Sequence, residues 1–188
     1  MTGEEMLIKR AKSGDEQAFE EIVRLYEKSV YNSALYIAKN REDALDISQD
    51  VFIKLWRTLP SYRGDASLKT WIATITRTCA IDYVKARNKK QTAPLTYAED
   101  GKEIDVTDMD TASNPEKSFE QNQRAAAVRN AVKALPEPIR ETLILREFHN
   151  LSYSEIANIQ KISEGTVKSR ISRGRDQIKE FLKNGNFL

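Results

Sequence analysis

A polar and basic helix face near the C-terminus is the feature of the sequence with the clearest chemical meaning. Small, hydroxylated and cationic residues recur there on one side of a helix at about 100° per residue. The face consists of Gly165, Thr166, Ser169, Ser172 and Arg173, with Lys168 and Arg170 on its flanks. Glycine allows close backbone approach, while hydroxyl and guanidinium groups can hydrogen-bond base edges or phosphates. The pattern predicts insertion into a DNA major groove; the alternative is a solvated cationic helix.

Capping patterns place that face on the second helix of a helix-turn-helix. Ser152 and Glu155 have the spacing of a capping box, and Ser163 is positioned to cap the next helix. Only a few residues separate the two helices, so they must cross steeply. The apolar residues expected to be buried along the second helix are Val167, Ile171, Ile178 and Leu182.

Composition indicates a soluble globular protein without catalytic chemistry. The 188 residues are 40% hydrophobic and 31% charged. There is no transmembrane-length apolar run and no signal peptide, so we expect a cytoplasmic protein without membrane insertion. Cys79 and His149 are the only cysteine and histidine, which predicts no metal site, no cofactor and no enzyme. His149 is expected to be a surface or capping residue.

Charge and periodicity divide the chain into three parts. Residues 1–90 have 16 Lys and Arg against 13 Asp and Glu (+3), residues 91–123 have 2 against 8 (−6), and residues 124–188 have 12 against 7 (+5). Basic ends around an acidic middle indicate nucleic-acid binding. No strand-like alternation is present. The sequence therefore predicts an all-α fold: helical domains at 1–90 and 124–188, the second beginning with buried positions that include Val128, joined by a flexible acidic linker at 91–123.

The predicted helix at residues 42–58, which follows a helix expected to stop at Asn40, has two different faces. Its inward face is expected to contain Leu45, Ser48, Val51, Phe52, Leu55, Trp56 and Leu59. A second, mostly acidic stripe contains Asp43, Asp46, Gln49, Asp50, Ile53 and Arg57. Ile53 within a polar stripe suggests a contact surface. From the residue chemistry alone, however, a solvated face is the favoured interpretation.

A polar loop at residues 61–66 precedes another predicted helix, Leu68–Arg87, which Ser67 can cap. Trp71 and Tyr83 recur along the helix, and its end is basic. Aromatic and cationic groups beside a polar loop can stack unpaired bases and hold their phosphates. The alternative is that both aromatic residues belong to the core.

Four segments in this order carry a resemblance to a known family. Residues 42–56, 62–77, 135–146 and 151–175 together resemble the extracytoplasmic-function (ECF) group of sigma-70 family sigma factors. These are bacterial subunits that direct RNA polymerase to promoters. The resemblance covers nearly the whole chain except the linker.

The resemblance implies three sets of site residues. The core-polymerase-binding residues would be Asp43, Asp46, Gln49, Asp50 and Ile53. The residues for recognition and melting of the −10 element would be Tyr62, Arg63, Ser67, Lys69, Trp71, Thr74, Arg77, Thr78 and Lys85. The −35-binding residues would be Lys161, Gly165, Thr166, Lys168, Ser169, Arg170, Ser172 and Arg173.

The implied partners are core RNA polymerase through its largest and second-largest subunits, promoter DNA and an anti-sigma factor, with no small-molecule substrate. Thr78 stands where the family commonly has Asn, so base selection is expected to differ there. Lys161 stands where a helix-turn-helix commonly turns on Gly. The competing hypothesis is a helix-turn-helix regulator that acts without polymerase. The third hypothesis is that the protein is an enzyme, for which the sequence contains no candidate catalytic residues.

Overall fold

The protein is described by a computed structural model covering residues 3–91 and 115–185, and every regular element in these ranges is helical. The N-terminal domain comprises α1 (Gly3–Lys12), α2 (Glu16–Ala38), α3 (Arg41–Thr58), a 3-10 turn (Leu59–Ser61) and α4 (Leu68–Gln91). The C-terminal domain comprises α5 (Pro115–Ala134), α6 (Glu137–Glu147), α7 (Tyr153–Gln160) and α8 (Glu164–Asn184). The prediction of two all-α domains is confirmed.

The start of α5 differs from the prediction. We expected the flexible linker to extend to residue 123, but α5 begins at Pro115. Proline suits the first turn of a helix because its missing N–H has no intrahelical partner there. Sequence periodicity reveals a helix through its apolar face. Residues 115–123 contain few apolar side chains, so this part of α5 was not predicted. Residues 92–114 of the predicted linker lie outside the described residues.

Helix α3 buries a face slightly different from the predicted one. Ala44, Ile47, Val51 and Leu55 are fully buried. Leu45, which we expected to point inward, is 48% exposed. The inward position belongs to Ala44, whose small side chain suits a close-packed interior. A pattern search weighted towards large apolar residues misses such a position.

The helix boundaries are determined largely by local capping. The predicted caps Ser67, Ser152 and Ser163 all accept a backbone N–H three residues along the chain, and Asp15 caps α2 in the same way. Asn40 differs from the prediction, because its side chain accepts the N–H groups of Glu42 and Asp43 and so begins α3. Helix α2 ends at Lys39, which adopts the left-handed conformation with φ 62°.

The C-terminal domain packs α8 tightly against α6. Val167 and Ile171 are buried as predicted, whereas Ile178 and Leu182 are half-buried. Gly174 is also buried on this face. In α5, Ala127 and Ala131 are buried, whereas Val128, predicted to be buried, is 39% exposed. Small residues are thus again among the buried positions, as close helix packing favours.

The two domains touch through α2 and α4 on one side and α5, α6 and α7 on the other. His149, between α6 and α7, is 2% exposed, so the prediction of a surface or capping residue is wrong. Its Nε2 lies 2.8 Å from Oγ of Ser33 on α2. The position of His149 in a helix–turn junction indicated exposure, but the N-terminal domain covers that junction.

Candidate nucleic-acid interfaces

The predicted groove-binding face of α8 points outward. Gly165, Lys168, Ser172 and Arg173 are exposed, while Thr166, Ser169 and Arg170 are half-buried. The buried residues Val167 and Ile171 lie on the other side of the helix. Ser163 caps α8 by accepting the N–H of Thr166 at 3.1 Å. The first turn, where backbone N–H groups and the helix dipole favour anions, is therefore ordered beside this face.

The turn between α7 and α8 contains a lysine in the left-handed conformation. Lys161 has φ 55° and ψ 49°, and its N–H donates to the carbonyl of Ala157. A non-glycine residue in this region costs on the order of 1 kcal/mol. The Lys161 side chain is exposed next to α8, so its ammonium group is available to a phosphate.

Arg170 has a structural contact that distinguishes it from Arg173. Its Nη1 donates to Oε1 of Gln160 at 3.4 Å, and the same oxygen accepts from Thr142 at 2.9 Å. Arg170 thus joins α8 to α7 and α6. Arg173 projects from the exposed side and is better placed to enter a groove.

The loop before α4 is held in shape by aromatic stacking and hydrogen bonds. The rings of Tyr62 and Trp71 stack with centroids 4.9 Å apart and an interplanar angle of 27°. The Tyr62 hydroxyl donates to the carbonyl of Ala66 at 2.5 Å, which closes the loop. Gly64 has φ 85°, a conformation that glycine adopts without a Cβ penalty. The predicted base-holding loop is therefore ordered.

Helix α1 forms a second wall beside this loop, which the sequence analysis missed. Lys12 donates its ammonium group to the carbonyl of Tyr62 at 2.6 Å. An open cleft of about 650 Å³ lies between α1 and the loop, with Lys9, Lys12 and Arg63 among its lining residues. No local signal links the two segments, because Lys12 and Tyr62 are 50 residues apart in the sequence.

Two predicted −10 residues, Thr74 and Thr78, are exposed along α4, as is Lys85. Each threonine hydroxyl donates to the carbonyl four residues earlier at 2.8 Å, which leaves oxygen lone pairs facing outward. Tyr83 does not extend this face, because its hydroxyl donates to Asp43 on α3 at 3.0 Å. Of the two aromatic residues considered, Trp71 alone adjoins the loop.

The remaining predicted −10 residues on α4 contact the C-terminal domain. The ammonium group of Lys69 donates to the carbonyl of Asn150 at 3.1 Å. Nε and Nη2 of Arg77 both reach Oε2 of Glu141, at 2.9 and 2.8 Å. Ser67, at the start of α4, lies 3.5 Å from Glu155. Lys69 and Arg77 are thus half-buried with partners in the C-terminal domain, whereas Ser67 remains exposed.

The acidic stripe on α3 is largely exposed, as predicted, and includes Asp46, Gln49, Asp50 and Ile53. Asp43 differs, since it forms an ion pair with Arg87 and accepts a hydrogen bond from Tyr83. The exposed Leu45 lies one turn before Gln49, and Ile53, which is 49% exposed, lies one turn after it. The stripe is thus a mixed acidic and apolar surface.

Two titratable groups at the domain contact have shifted pKa values. Burial lowers the pKa of His149 to about 4, and nearby Lys69 adds to the effect, so the ring is neutral near pH 7. For Glu155, partial burial alone would raise the pKa, but hydrogen bonds from Thr70 and Ser152 outweigh it and lower the pKa to about 2. Glu155 therefore presents a negative charge to α4.

Within residues 3–91 and 115–185, no helix has the length and apolar character needed to cross a bilayer. The same described residues contain no cluster of three or more His, Cys, Asp or Glu side chains suited to a metal ion.

Comparison with family models matches both domains. Residues 22–90 match the model described as Sigma-70 region 2, which spans most of α2, α3 and α4. Residues 125–178 match the model described as Sigma-70, region 4, which spans the second half of α5, all of α6 and α7, and most of α8. The two matches contain the α3 stripe, the loop before α4 and the α8 face.

Curated relatives match almost the full chain. The RNA polymerase sigma-H factor of Pseudomonas aeruginosa is 33% identical, and the alignment covers 95% of this chain and 93% of that protein. The ECF RNA polymerase sigma-E factor of Haemophilus influenzae is 32% identical, with 95% of each protein covered.

Solved structures share the arrangement of helices. RpoE from Bartonella quintana, solved in complex with the anti-sigma factor NepR, is 25% identical with a TM-score of 0.69, over 88% of this chain and 96% of that one. CnrH, solved with the cytosolic domain of CnrY, has a TM-score of 0.69 at 20% identity, over 97% and 99% of the two chains. The latter similarity concerns the fold.

Proposed function

Because the chain belongs to the ECF group of sigma-70 family sigma factors, which direct promoter-specific transcription initiation by RNA polymerase, we propose a role for each of its three candidate surfaces. The α3 stripe docks on core polymerase. The loop before α4, together with α4, binds the unpaired −10 strand. The outward face of α8 reads the −35 element.

The observation that carries this proposal is the outward polar face of α8, opposite the buried Val167 and Ile171, in a chain that also has the ordered Tyr62 loop. A regulator that binds only duplex DNA needs a groove-binding face like that of α8, but it does not need a base-holding loop like that at Tyr62. A sigma factor must bind the unpaired −10 strand more tightly than the duplex. The difference in binding free energy has to offset a few kcal/mol of unstacking per base. A stacked aromatic pair beside Lys12 and Arg63 suits that task.

The decisive test is transcription with purified core polymerase and a library of promoter fragments, after removal of any inhibitor. We expect initiation at discrete sites that share −35 and −10 sequences. Transcription that is no more selective than that of core polymerase alone would contradict the proposal. DNA binding without transcription would instead favour the regulator hypothesis.

Lys12 and Lys9 extend the proposed −10 site to α1. Lys12 fixes the backbone of Tyr62, and both ammonium groups line the cleft next to the loop. A base that leaves the stack needs a pocket and its phosphate needs positive charge. The cleft supplies space and a small excess of positive charge, since its three cationic residues outnumber Glu4 and Glu5 in the lining, and it so supports the assignment of the loop as the base-holding element.

We predict that Asp46→Lys combined with Asp50→Lys weakens core-polymerase binding by at least about tenfold, since reversed charges at a docking surface are strongly disfavoured. Both side chains are exposed, so the fold should be retained. Binding should be measured at moderate salt, with helicity recorded by circular dichroism.

A charge-matched control is available on α2. Glu21→Lys with Glu27→Lys changes the net charge equally at exposed positions away from the stripe. This control should bind core polymerase like the wild type. If the stripe variant also retains its affinity, or loses it only in step with helicity, the stripe is merely solvated.

Partner and location follow from the same assignment. RpoE was solved with an anti-sigma factor, and we propose that this chain also binds a protein inhibitor of that class. Its place of action would be the cytoplasm, where core polymerase and promoter DNA are found. In this role the chain recognises the promoter and binds the unpaired −10 strand, while core polymerase synthesises the RNA.

A further inference from the structure

The cleft between α1 and the loop before α4 is bordered by carboxylates as well as cations. Five residues at helical spacing on one face of α1 line it: Glu4, Glu5, Ile8, Lys9 and Lys12. Residues of the loop and the start of α4 form the other wall. The −10 role given to the lysines leaves the two carboxylates unexplained, since a carboxylate repels the phosphates of a DNA strand.

The two signs of charge are separated along α1. Glu5 precedes Lys9 by one helical turn, about 6 Å, and it precedes Lys12 by about 10 Å. Lys12 donates to the carbonyl of Tyr62, and Arg63 follows directly in the loop, so the positive charges of both walls meet at one end. A nucleotide that lies along this face with its phosphate at the lysine end has its base near the carboxylate end.

The middle of the cleft suits the ring of a base. Ile8 lies one turn before Lys12 on α1, and Leu68 lines the cleft from the first turn of α4. An unpaired base is commonly held between apolar or aromatic side chains while its edge is read by hydrogen bonds. The volume of about 650 Å³ falls within the range of small-molecule sites. The cleft can therefore enclose one base.

The Glu4 carboxylate is held in place and faces the loop. Its Oε1 accepts the Tyr26 hydroxyl at 2.8 Å. Burial raises the pKa of the Tyr62 hydroxyl, and the negative charges of Glu4 and Asp65 raise that pKa further, so the Glu4 carboxylate lies within electrostatic range of the loop. A carboxylate has lone pairs for about four hydrogen bonds. Glu4 therefore keeps acceptor capacity beyond its bond to Tyr26.

Carboxylates discriminate between bases because they accept hydrogen bonds and donate none. The amino groups of cytosine, adenine and guanine can donate to a carboxylate, and a carboxylate that accepts from the cytosine amino group is an established base contact. Thymine has no amino group, and its two carbonyl oxygens repel a carboxylate. The Watson–Crick edge of an unpaired base is open to such a contact.

We propose that Glu4 and Glu5 make α1 the base-selecting wall of the −10 site. Their carboxylates accept a hydrogen bond from the amino group of one unpaired base, while Lys9 and Lys12 hold its phosphate. The chain then selects cytosine, adenine or guanine against thymine at that position. This inference rests on the proposed function, because it requires the unpaired −10 strand to lie beside the loop.

The test exchanges single bases for analogues without the amino group. Uracil replaces cytosine, purine replaces adenine and hypoxanthine replaces guanine, one −10 position at a time. The probe is fluorescent fork-junction DNA with an unpaired −10 strand taken from the promoter library. Holoenzyme assembled from core polymerase and the full chain is titrated with each probe at fixed salt. Because the strand is unpaired, the exchange alters no base pair.

At one −10 position we expect loss of the amino group to weaken binding to the wild-type holoenzyme by at least about fivefold. In the variant Glu4→Ala with Glu5→Ala, the same exchange should change the affinity by less than about twofold, since no carboxylate remains to accept the bond. The readout is the ratio of the two affinities, because a change of net charge alters both alike. Thermal melting confirms that each variant is folded.

Two further variants separate base reading from charge. Glu21→Ala with Glu27→Ala removes the same charge at exposed positions on α2 and should keep the wild-type ratio. Lys9→Ala should weaken binding to both probes alike and lower the salt dependence by about one unit, as loss of a phosphate contact does. A changed ratio in Lys9→Ala would contradict the placement of the phosphate at the lysine end.

The inference is overturned if no −10 position responds to loss of an amino group, or if the variant of Glu4 and Glu5 keeps the wild-type ratio. Equal loss of the ratio in the α2 control would assign the effect to net charge, with the same consequence. Preference for the −10 strand without any amino-group dependence would leave the proposed −10 function intact. A holoenzyme that binds a scrambled strand as tightly as the −10 strand would contradict that function itself, and base selection falls with it.

Discussion

Arg173→Ala is expected to weaken binding to the cognate −35 element by about 1–3 kcal/mol, or roughly 5- to 150-fold, if the guanidinium pairs with a guanine. The expectation follows from the facing of α8. Ile171 is buried at 2% exposure, while Arg173, about 200° further around the helix, is exposed. The guanidinium must therefore project away from the domain core. Affinity should be measured at fixed salt for the cognate fragment, identified by the promoter library, and for a scrambled fragment.

The two kinds of contact that Arg173 can make have different signatures. Loss of a base contact reduces discrimination between the cognate and scrambled fragments. Loss of a phosphate contact weakens both alike and lowers the salt dependence by about one unit. Wild-type affinity for both fragments would show that the facing of α8 is wrong.

Arg175→Ala is the matched control for Arg173→Ala. It removes the same charge from the same helix, but Arg175 is paired with Glu147 on α6 at 2.8 Å. The pair is exposed, so its contribution to stability should be small. We expect Arg175→Ala to leave discrimination between the two fragments unchanged, with at most a modest loss of affinity.

Gly174→Val is expected to destabilise the C-terminal domain by about 1–3 kcal/mol, because inserted methyl groups overpack a tight helix contact. A Cβ at position 174 would collide with Leu143, and it would lie 2.8 Å from Cγ2 of Ile139. Valine adds two further methyl groups on that branched carbon. For a domain of this size the melting midpoint should fall by about 5–20 °C, measured calorimetrically on the full chain.

Gly165→Val tests the same substitution at the exposed start of α8. A Cβ there meets only Oγ of Ser163, at 3.8 Å, so the melting midpoint should change little. DNA binding should weaken, because the backbone can no longer approach the groove as closely. The pair of variants thus separates packing from recognition. A normal melting midpoint for Gly174→Val would show that α6 and α8 can move apart at little cost.

The sequence by itself determined the elements whose causes are local. Capping by Ser67, Ser152 and Ser163 involves groups three residues apart, and each predicted cap is present. The burial of Val167 and Ile171 follows from helical periodicity. The facing of α8 was therefore predictable, and with it the exposed position of Arg173.

A search for large apolar residues could not predict which small residues are buried. Ala44 and Gly174 are buried on α3 and α8, while the larger Leu45 and Val128 are exposed. The identity of a small residue does not reveal whether a neighbouring helix lies against it. That depends on how the helices cross, which the sequence pattern of one helix does not specify.

Which chemically suitable side chains have a partner within the protein depends on how the two domains pack, and the sequence did not reveal it. Arg77 and Glu141 are separated by 64 residues, and Ser33 and His149 by 116. The sequence located Arg77 on the correct helix but gave no sign of its partner. It also gave no reason to expect His149 to be buried. Capping and periodicity act over a few residues, whereas burial and ion pairing at the domain contact depend on how two separately predictable domains come together.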